Sequence, residues 1–279
     1  MENEMMPEKE MAVVVAEKKV AKEALLIAGT ILLGSLIIAG AIISSGLKSG
    51  VVAVAPQNGT ADQVAAPAKV TVTMDQVKAL FTSKNITFGN KDSKVLFVEF
   101  SDPSCPFCHV AAGKNPGLNK QMGAQFMMTK DGGSYLPPVP EMKKLVDAGK
   151  AGFVWMYANG HGNGEMGTKA LYCAKEKGKF WEAHDLLMSE AGYTLMNTDV
   201  KNDKAKAGVV ADFLKSAVNA NDMKTCLESG KYDTRTTEDM AVAQQFGFGG
   251  TPNFFVNTDN FVGAKSFSDL QATVEKYLK

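Results

Sequence analysis

Two of the four cysteines, Cys105 and Cys108, flank the dipeptide Pro106-Phe107, while Cys173 and Cys226 lie singly far downstream. A C-x-x-C pair can clamp zinc, hold a haem when histidine follows, or cycle between dithiol and disulfide. Structural zinc needs a second clustered pair, and neither the other cysteines nor His109, His161 and His184 supply one. Four cysteines in 279 residues are also too few for a disulfide-stapled miniature fold. Redox chemistry or cofactor attachment remains. A thiolate, rather than a thiol, attacks a disulfide, so the redox reading needs one sulfur to ionise below the free value of about 8.5.

That requirement dictates the elements around the pair. Residues 95–100, Val-Leu-Phe-Val-Glu-Phe, form an apolar run with aromatic and β-branched members, which predicts a strand buried on both faces. Ser101-Asp102-Pro103-Ser104 reads as a turn, and Cys105 then opens a helix with Pro106 in its first turn. The helix N-terminus favours a negative Cys105 sulfur, making Cys105 the nucleophile. Cys108, one turn further in, is shielded and serves as the resolving thiol. This helix should break or kink near Pro116.

Further along, residues 135–140 are expected as a surface loop, with the border of a binding groove the alternative, followed by a short helix at 140–147 and a strand at 152–158. A helical pattern spans 168–190 with an interruption at Gly178. Val209, Val210, Phe213, Leu214, Ala217 and Val218 recur at helical spacing. Asn221 should cap a short helix that holds Cys226 and stops at Gly230, and another runs over about 233–246 to Gly247. A strand at 253–257, a turn at 258–260 and a return at Phe261-Val262 precede a last helix, 268–278, capped by Ser266 and Asp269. The order defines an α/β domain with a helical insertion at about 160–246.

The rest of the chain supplies an address. Residues 24–43 carry no charge over 20 positions, enough for a helix of about 30 Å to cross a bilayer core. Lys18, Lys19 and Lys22 precede the run and only Lys48 follows closely, which places residues 1–23 in the cytoplasm and the remainder outside. Ala53-Val54-Ala55 imitates a signal-cleavage site, but the run exceeds a normal signal core and Pro56 follows, so an uncleaved anchor is expected, with cleavage the alternative. Residues 8–22 mix charge with valine and read as a helix without chemistry. Residues 44–69 read as a flexible tether, and 70–279 as the folded domain. Acidic and basic residues balance at 30 each, and Arg235 is the one arginine, so no nucleic-acid partner is expected.

Several stretches resemble the thioredoxin superfamily, specifically its DsbA-type branch. Residues 97–108, FVEFSDPSCPFC, resemble the active-site strand and helix. Residues 250–256, GTPNFFV, resemble the cis-proline strand, and 178–185 and 226–232 resemble segments of the helical insertion. The resemblance covers about 70–279 and implies a thiol:disulfide oxidoreductase that introduces disulfides into exported proteins. It implies Cys105 as nucleophile, Cys108 as resolving partner, and Pro252 as a cis-proline beside them. Thr251 would pair through its backbone with an extended substrate, and Glu99 would shuttle a proton for Cys108. It also implies a structural Cys173–Cys226 disulfide, no cofactor beyond the redox disulfide, and a quinone-linked membrane reoxidant of the DsbB or VKOR type. Its site is a bacterial cell surface or periplasm.

Two departures stand out. The dipeptide Pro106-Phe107 lacks the histidine found in the best-known periplasmic members, and threonine before the proline also occurs in isomerase branches. Reductase or isomerase action therefore remains the alternative, because direction follows redox potential and electron partner. The sharper rival is C-x-x-C-H, completed by His109, the pattern for covalent haem attachment. The buried strand before it and the Thr-Pro strand after it argue for the redox reading, with His109 expected at the helix surface. His184 is expected to cap or pack within its helix.

Overall fold

The computed structural model describes residues 70–279. The segment 1–23 with its 8–22 helix, the apolar run 24–43 and the tether 44–69 lie outside the described residues. Among those described, no helix is long and apolar enough to cross a membrane.

Thr73 and Gln76 close a reciprocal capping box that opens helix α1, Met74–Ala79. Strands β1 (Ile86–Phe88) and β2 (Val95–Ser101) follow, then helices α2 (Pro106–Ala112), α3 (Pro116–Gln121) and α4 (Pro138–Asp147), and strand β3 (Ala151–Tyr157). The insertion comprises α5 (Glu165–Glu176), α6 (Phe180–Leu187), α7 (Glu190–Thr194), a π-helical turn (Leu195–Val200), α8 (Ala207–Phe213) and α9 (Ala220–Glu228). Helix α10 (Arg235–Gln245), the hairpin β4 (Asn253–Val256) and β5 (Asp259–Val262), and α11 (Phe267–Leu278) complete the domain.

The strands form one sheet in the order β1-β3-β2-β4-β5, with β2 and β3 parallel and the other pairs antiparallel. Every residue of β2 and β3 is buried, as their near-continuous apolar runs require. Alternation of side chains splits β2 between two cores. Leu96, Val98 and Phe100 pack with Val77 and Leu80 near α1 and Ala243 of α10. Val95 and Phe97 join the larger core with α4, α11 and the insertion. Glu99 and Ser101 share the register of Phe97 and so belong to the insertion side.

Local chemistry moved several expected boundaries. Helix α2 stops at Ala112 because Gly113 adopts a left-handed φ of 65°. Pro116 breaks nothing: it begins α3, whose N-terminus is capped by the Asn115 side chain. Helix α9 is capped by Asn219, which accepts the N–H groups of Asn221 and Asp222, and not by Asn221. The hairpin turns at Asn257-Thr258, ahead of the expected 258–260, with Asn257 at φ 53° and its side-chain amide accepting the Leu96 N–H at 2.7 Å.

Residues 135–140 are not a surface loop. Tyr135 is buried against Val110 and Met128, and α4 starts at Pro138. The Leu136 N–H donates to Ser266 Oγ at 3.0 Å, and the Phe267 N–H donates to the Leu136 carbonyl at 2.8 Å. The partners of this segment lie at the start of α11, too distant in sequence for local pattern to reveal.

Two long-range fastenings hold the insertion. Cys173 of α5 and Cys226 of α9 form a disulfide across a sequence separation of 53, which contributes about 4 kcal/mol in the chain-entropy model. The lone arginine, Arg235, is buried at the start of α10, where Nε donates to Asp239 Oδ1 at 2.9 Å and to the Tyr172 hydroxyl at 3.0 Å. Its Nη2 donates to Asn85 Oδ1 at 2.8 Å. Asp239 Oδ2 in turn accepts the Tyr172 hydroxyl and the backbone N–H of Tyr157 in β3.

Candidate active site

Strand β2 delivers the chain to Asp102, and the turn from Asp102 to Ser104 places Cys105 at the N-cap of α2. Both sulfurs of the C-x-x-C are free thiols, clustered with Ala112 and Met188. The Asp102 N–H points at Cys108 Sγ at 3.4 Å. From the neighbouring strand of the sheet, the loop before β4 brings Thr251 and Pro252, joined by a cis peptide bond. The Cys105 thiol donates to the Thr251 carbonyl at 3.6 Å. The structure thus brings Cys105, Cys108, Thr251 and Pro252 together, while the Cys173–Cys226 disulfide lies within the insertion.

The sequence reading gave Asp102 only a place in a turn, yet it fastens the site. Its Oδ1 accepts the N–H and hydroxyl of Ser104, both at 2.7 Å, and its Oδ2 accepts the N–H groups of Gly160 and His161, both at 2.9 Å. Four donors offset the cost of burying a carboxylate. The result ties the loop after β2 to the loop after β3. A Cβ at Gly160 would collide with the Thr251 hydroxyl and lie 3.3 Å from Cys105 Cβ, so glycine allows this loop its close approach. The readable signal was Asp-x-Ser after a buried strand.

Phe107 is the exposed member of the quartet, at 39%. Its ring meets Phe126 edge-on at 5.8 Å, and Phe126 meets Tyr135 at 5.7 Å. An aromatic ledge therefore runs from the C-x-x-C to the 120–150 region, while Pro106 is half-buried behind it.

The two thiols are held apart in acidity. A hydrogen bond from the Cys108 thiol lowers the Cys105 pKa to about 7, against the opposing effect of burial. Burial, together with the neighbouring Cys105 sulfur, pushes Cys108 well above the ordinary thiol value. Iodoacetamide should accordingly alkylate Cys105 with a rate that rises with pH through about 7, leaving Cys108 unmodified. Mass spectrometry of the labelled peptides checks this; a midpoint near the free-thiol value of about 8.5 would refute the assignment.

Glu99 is fully buried and neither carboxylate oxygen has a hydrogen-bond partner. Burial raises its pKa to about 7, with the charge of His184 pulling the other way. The Ser101 hydroxyl, two residues along the same face, favours ionisation of both Glu99 and Cys108.

His109 is not at the helix surface. It is completely buried, with Nδ1 2.8 Å from the Met188 carbonyl and Nε2 2.9 Å from the Pro103 carbonyl. Both ring nitrogens are committed to the backbone, so the residue does not fit an axial haem ligand. Its function here is to strap α2 to the end of α6. His161 sits exposed in the glycine-rich loop after β3, and His184 is buried in α6, stacked on Phe180.

Taken together, the sheet, the C-x-x-C at a helix N-terminus and the opposed cis-proline define an α/β thioredoxin-like domain with a helical insertion. A family model described as Thioredoxin matches residues 140–276, which include the Thr251–Pro252 strand but not the C-x-x-C. The structure is similar to that of oxidised BdbD from Bacillus subtilis, with a TM-score of 0.51 and 20% identity, covering 70% of this chain and 93% of that one. In sequence, the chain is 21% identical over 197 residues to disulfide bond formation protein D of Bacillus subtilis, covering 68% of this chain and 76% of that protein. It is also 26% identical over 193 residues to Na(+)/H(+) antiporter NhaA 3 of Salinispora tropica, covering 67% of this chain. The chain spans about a quarter, 24%, of that relative and of NhaA 1 from Salinispora arenicola.

Proposed function

We propose that this protein is a thiol:disulfide oxidoreductase that introduces disulfide bonds into exported proteins. The observation that carries the reading is Cys105 at the N-cap of α2, ionising at about 7 and facing the Thr251 carbonyl before cis-Pro252. In the oxidised enzyme a substrate thiolate attacks Cys105 Sγ. The Cys105–Cys108 bond breaks, a mixed disulfide forms, and Cys108 leaves as thiolate. Glu99, its carboxyl pushed up to about 7 by burial, gives its proton to that sulfur. A second substrate thiolate then attacks the substrate sulfur of the mixed disulfide and expels Cys105 as thiolate. Two electrons pass to the enzyme and the substrate keeps the new bond.

An extended substrate segment would lie against Thr251 and Pro252, with Pro106 and the Phe107 ledge beside its cysteine. No cofactor beyond the enzyme's own disulfide enters this scheme. A quinone-linked membrane protein of the DsbB or VKOR type would remove the two electrons. The 24–43 run would anchor the chain, with residues 1–23 cytoplasmic and the catalytic domain in the periplasm or at the cell surface. The Cys173–Cys226 bridge supports an oxidising compartment, and the name of the Bacillus subtilis relative supports disulfide formation.

A glutathione redox titration of the full chain, with alkylation trapping of Cys105, tests the direction. A potential between about −120 and −180 mV is expected for an oxidant. A value near about −270 mV, the thioredoxin range, would replace the oxidase reading with a reductase.

A further inference from the structure

The insertion contains one turn of unusual width. Helix α7 passes without a break into the π-helical turn Leu195–Val200, and such widened turns recur at functional sites. Leu195, Met196 and Val200 stay buried in the core, while the half-buried Asn197 turns to the loop that carries Cys105. Its Nδ2 donates to the Ser104 carbonyl at 3.0 Å and to the Tyr193 carbonyl at 3.1 Å. Its Oδ1 accepts Asn163 Nδ2 at 3.2 Å. Two carbonyls at one end and a donor at the other leave this amide a single orientation, with both of its N–H hydrogens in use.

The Ser104 carbonyl belongs to the peptide unit that leads into Cys105. At the other end of that unit, the Cys105 N–H donates to the Asp102 carbonyl at 3.0 Å. Both polar ends of the unit are therefore tied, one within the active-site turn and one to the insertion, and Cys105 is held at φ −79°, ψ 124°. That backbone sets where Sγ points, which is to the Thr251 carbonyl at 3.6 Å and within reach of the Cys108 thiol. The remaining polar groups of Ser104 bind elsewhere. Its N–H and hydroxyl donate to Asp102, and the hydroxyl accepts the Asn163 N–H at 3.1 Å.

We infer that Asn197 is a positioning residue for the nucleophile: from the π-turn of the insertion it clamps the Ser104–Cys105 peptide and so aims Cys105 Sγ at the partners that make it reactive. The inference rests on the proposed redox role of Cys105. The insertion thereby takes a part in the chemistry and grips the active-site turn at two successive carbonyls. Asn197 holds that of Ser104, and the ring of His109, which meets Tyr193 of α7 edge-on at 4.9 Å, lies 2.9 Å from that of Pro103.

Iodoacetamide labelling of the reduced full chain across pH, read by mass spectrometry, reports the ionisation of Cys105. In the parent the rate should rise through about 7, a value to which the hydrogen bond from the Cys108 thiol contributes most. Asn197→Ala frees the peptide and lets Sγ leave that bond, so the midpoint should move by about one pH unit to the free-thiol side. The rate at about pH 6.5 should fall about fivefold or more and converge on the parent by about pH 9. Asn197→Asp keeps the size but has no hydrogen to donate, and should shift the midpoint at least as far. Asn163→Ala unfastens only the far end of the amide; it should shift the midpoint by about half as much, and it carries the test if the Asn197 variants do not fold. None of these changes removes a titratable group near Cys105: Cys108 of α2, Asp102 in the turn, His161 after β3 and Tyr193 of α7 all remain. Asn219→Ala, which strips the cap of α9 elsewhere in the insertion, should lower Tm and leave the midpoint in place.

A midpoint within about 0.2 units of the parent in folded Asn197→Ala, or in folded Asn163→Ala standing in for it, overturns the inference. An equal shift in Asn219→Ala also overturns it, because general loosening would then be the cause. Catalysed exchange with glutathione separates the two levels. If the parent labels on this profile and Asn197→Ala shifts it, yet no exchange is catalysed, the oxidoreductase reading fails while the clamp stands. If exchange is catalysed and no variant moves the midpoint, the clamp fails and the oxidoreductase reading stands.

Discussion

Replacing Cys105 with alanine is expected to reduce catalysed thiol–disulfide exchange by about 10³-fold or more, to the rate of the uncatalysed reaction. No other sulfur in the domain can take over. Cys108 is fully buried with its pKa held well above the ordinary value, and Cys173 and Cys226 are consumed in their own disulfide. Cys108→Ala should behave differently. Its Cys105 keeps the N-cap position and the Thr251 contact but loses the hydrogen bond that most lowers its pKa, so it should react more slowly at neutral pH. Once formed, its mixed disulfides have no internal thiol to resolve them. They should accumulate as covalent adducts on non-reducing gels, and their mass would identify substrates directly. Equal adduct yields from Cys105→Ala would show that the nucleophile has been assigned to the wrong sulfur.

The second large effect concerns stability. Asp239→Ala should destabilise the domain by about 3 kcal/mol, because it leaves the buried Arg235 with only the exposed Glu238 carboxylate as counter-charge. It also strips acceptors from the Tyr172 hydroxyl and the Tyr157 N–H, loosening α5 and α10 against β3 together. In a protein of this size that corresponds to a fall in Tm of roughly 10 °C. Pairing the change with Arg235→Met should recover most of the loss, since removing both charges also removes the desolvation penalty. By contrast, breaking the exposed Lys224–Glu228 pair, 3.8 Å apart with both side chains more than half exposed, should change stability by less than about 0.5 kcal/mol. Urea denaturation with the Cys173–Cys226 bond intact measures all three. An Asp239→Ala cost as small as that of the surface pair would mean the buried network contributes little.

The order of the domain and the position of Cys105 at a helix N-terminus were legible in the residues. An apolar run buries a strand whatever surrounds it, and Cys-Pro at the following turn sets a helix N-terminus. The brackets of Gly178, Gly230 and Gly247 separated the insertion helices because each glycine takes a positive φ. Where local chemistry offered competing partners, the sequence misled. Pro116 looked like a breaker and is a helix start, because Gly113 had already ended the preceding helix. Asn219 outcompeted Asn221 as a cap by two positions, a difference within the blur of any local pattern.

By itself, then, the amino-acid order determined an α/β chain with a C-x-x-C at a helix N-terminus, since these follow from periodicity and backbone sterics within a few residues, while the Thr-Pro strand facing it followed from the family resemblance. Only the tertiary structure decided how the site is held. Asp102 binds a loop nearly sixty residues away, residues 135–140 find their hydrogen bonds at the start of α11, and His109 is buried between two carbonyls. Each of these depends on which distant atoms share a low-dielectric interior, and that information does not exist until the chain has closed on itself.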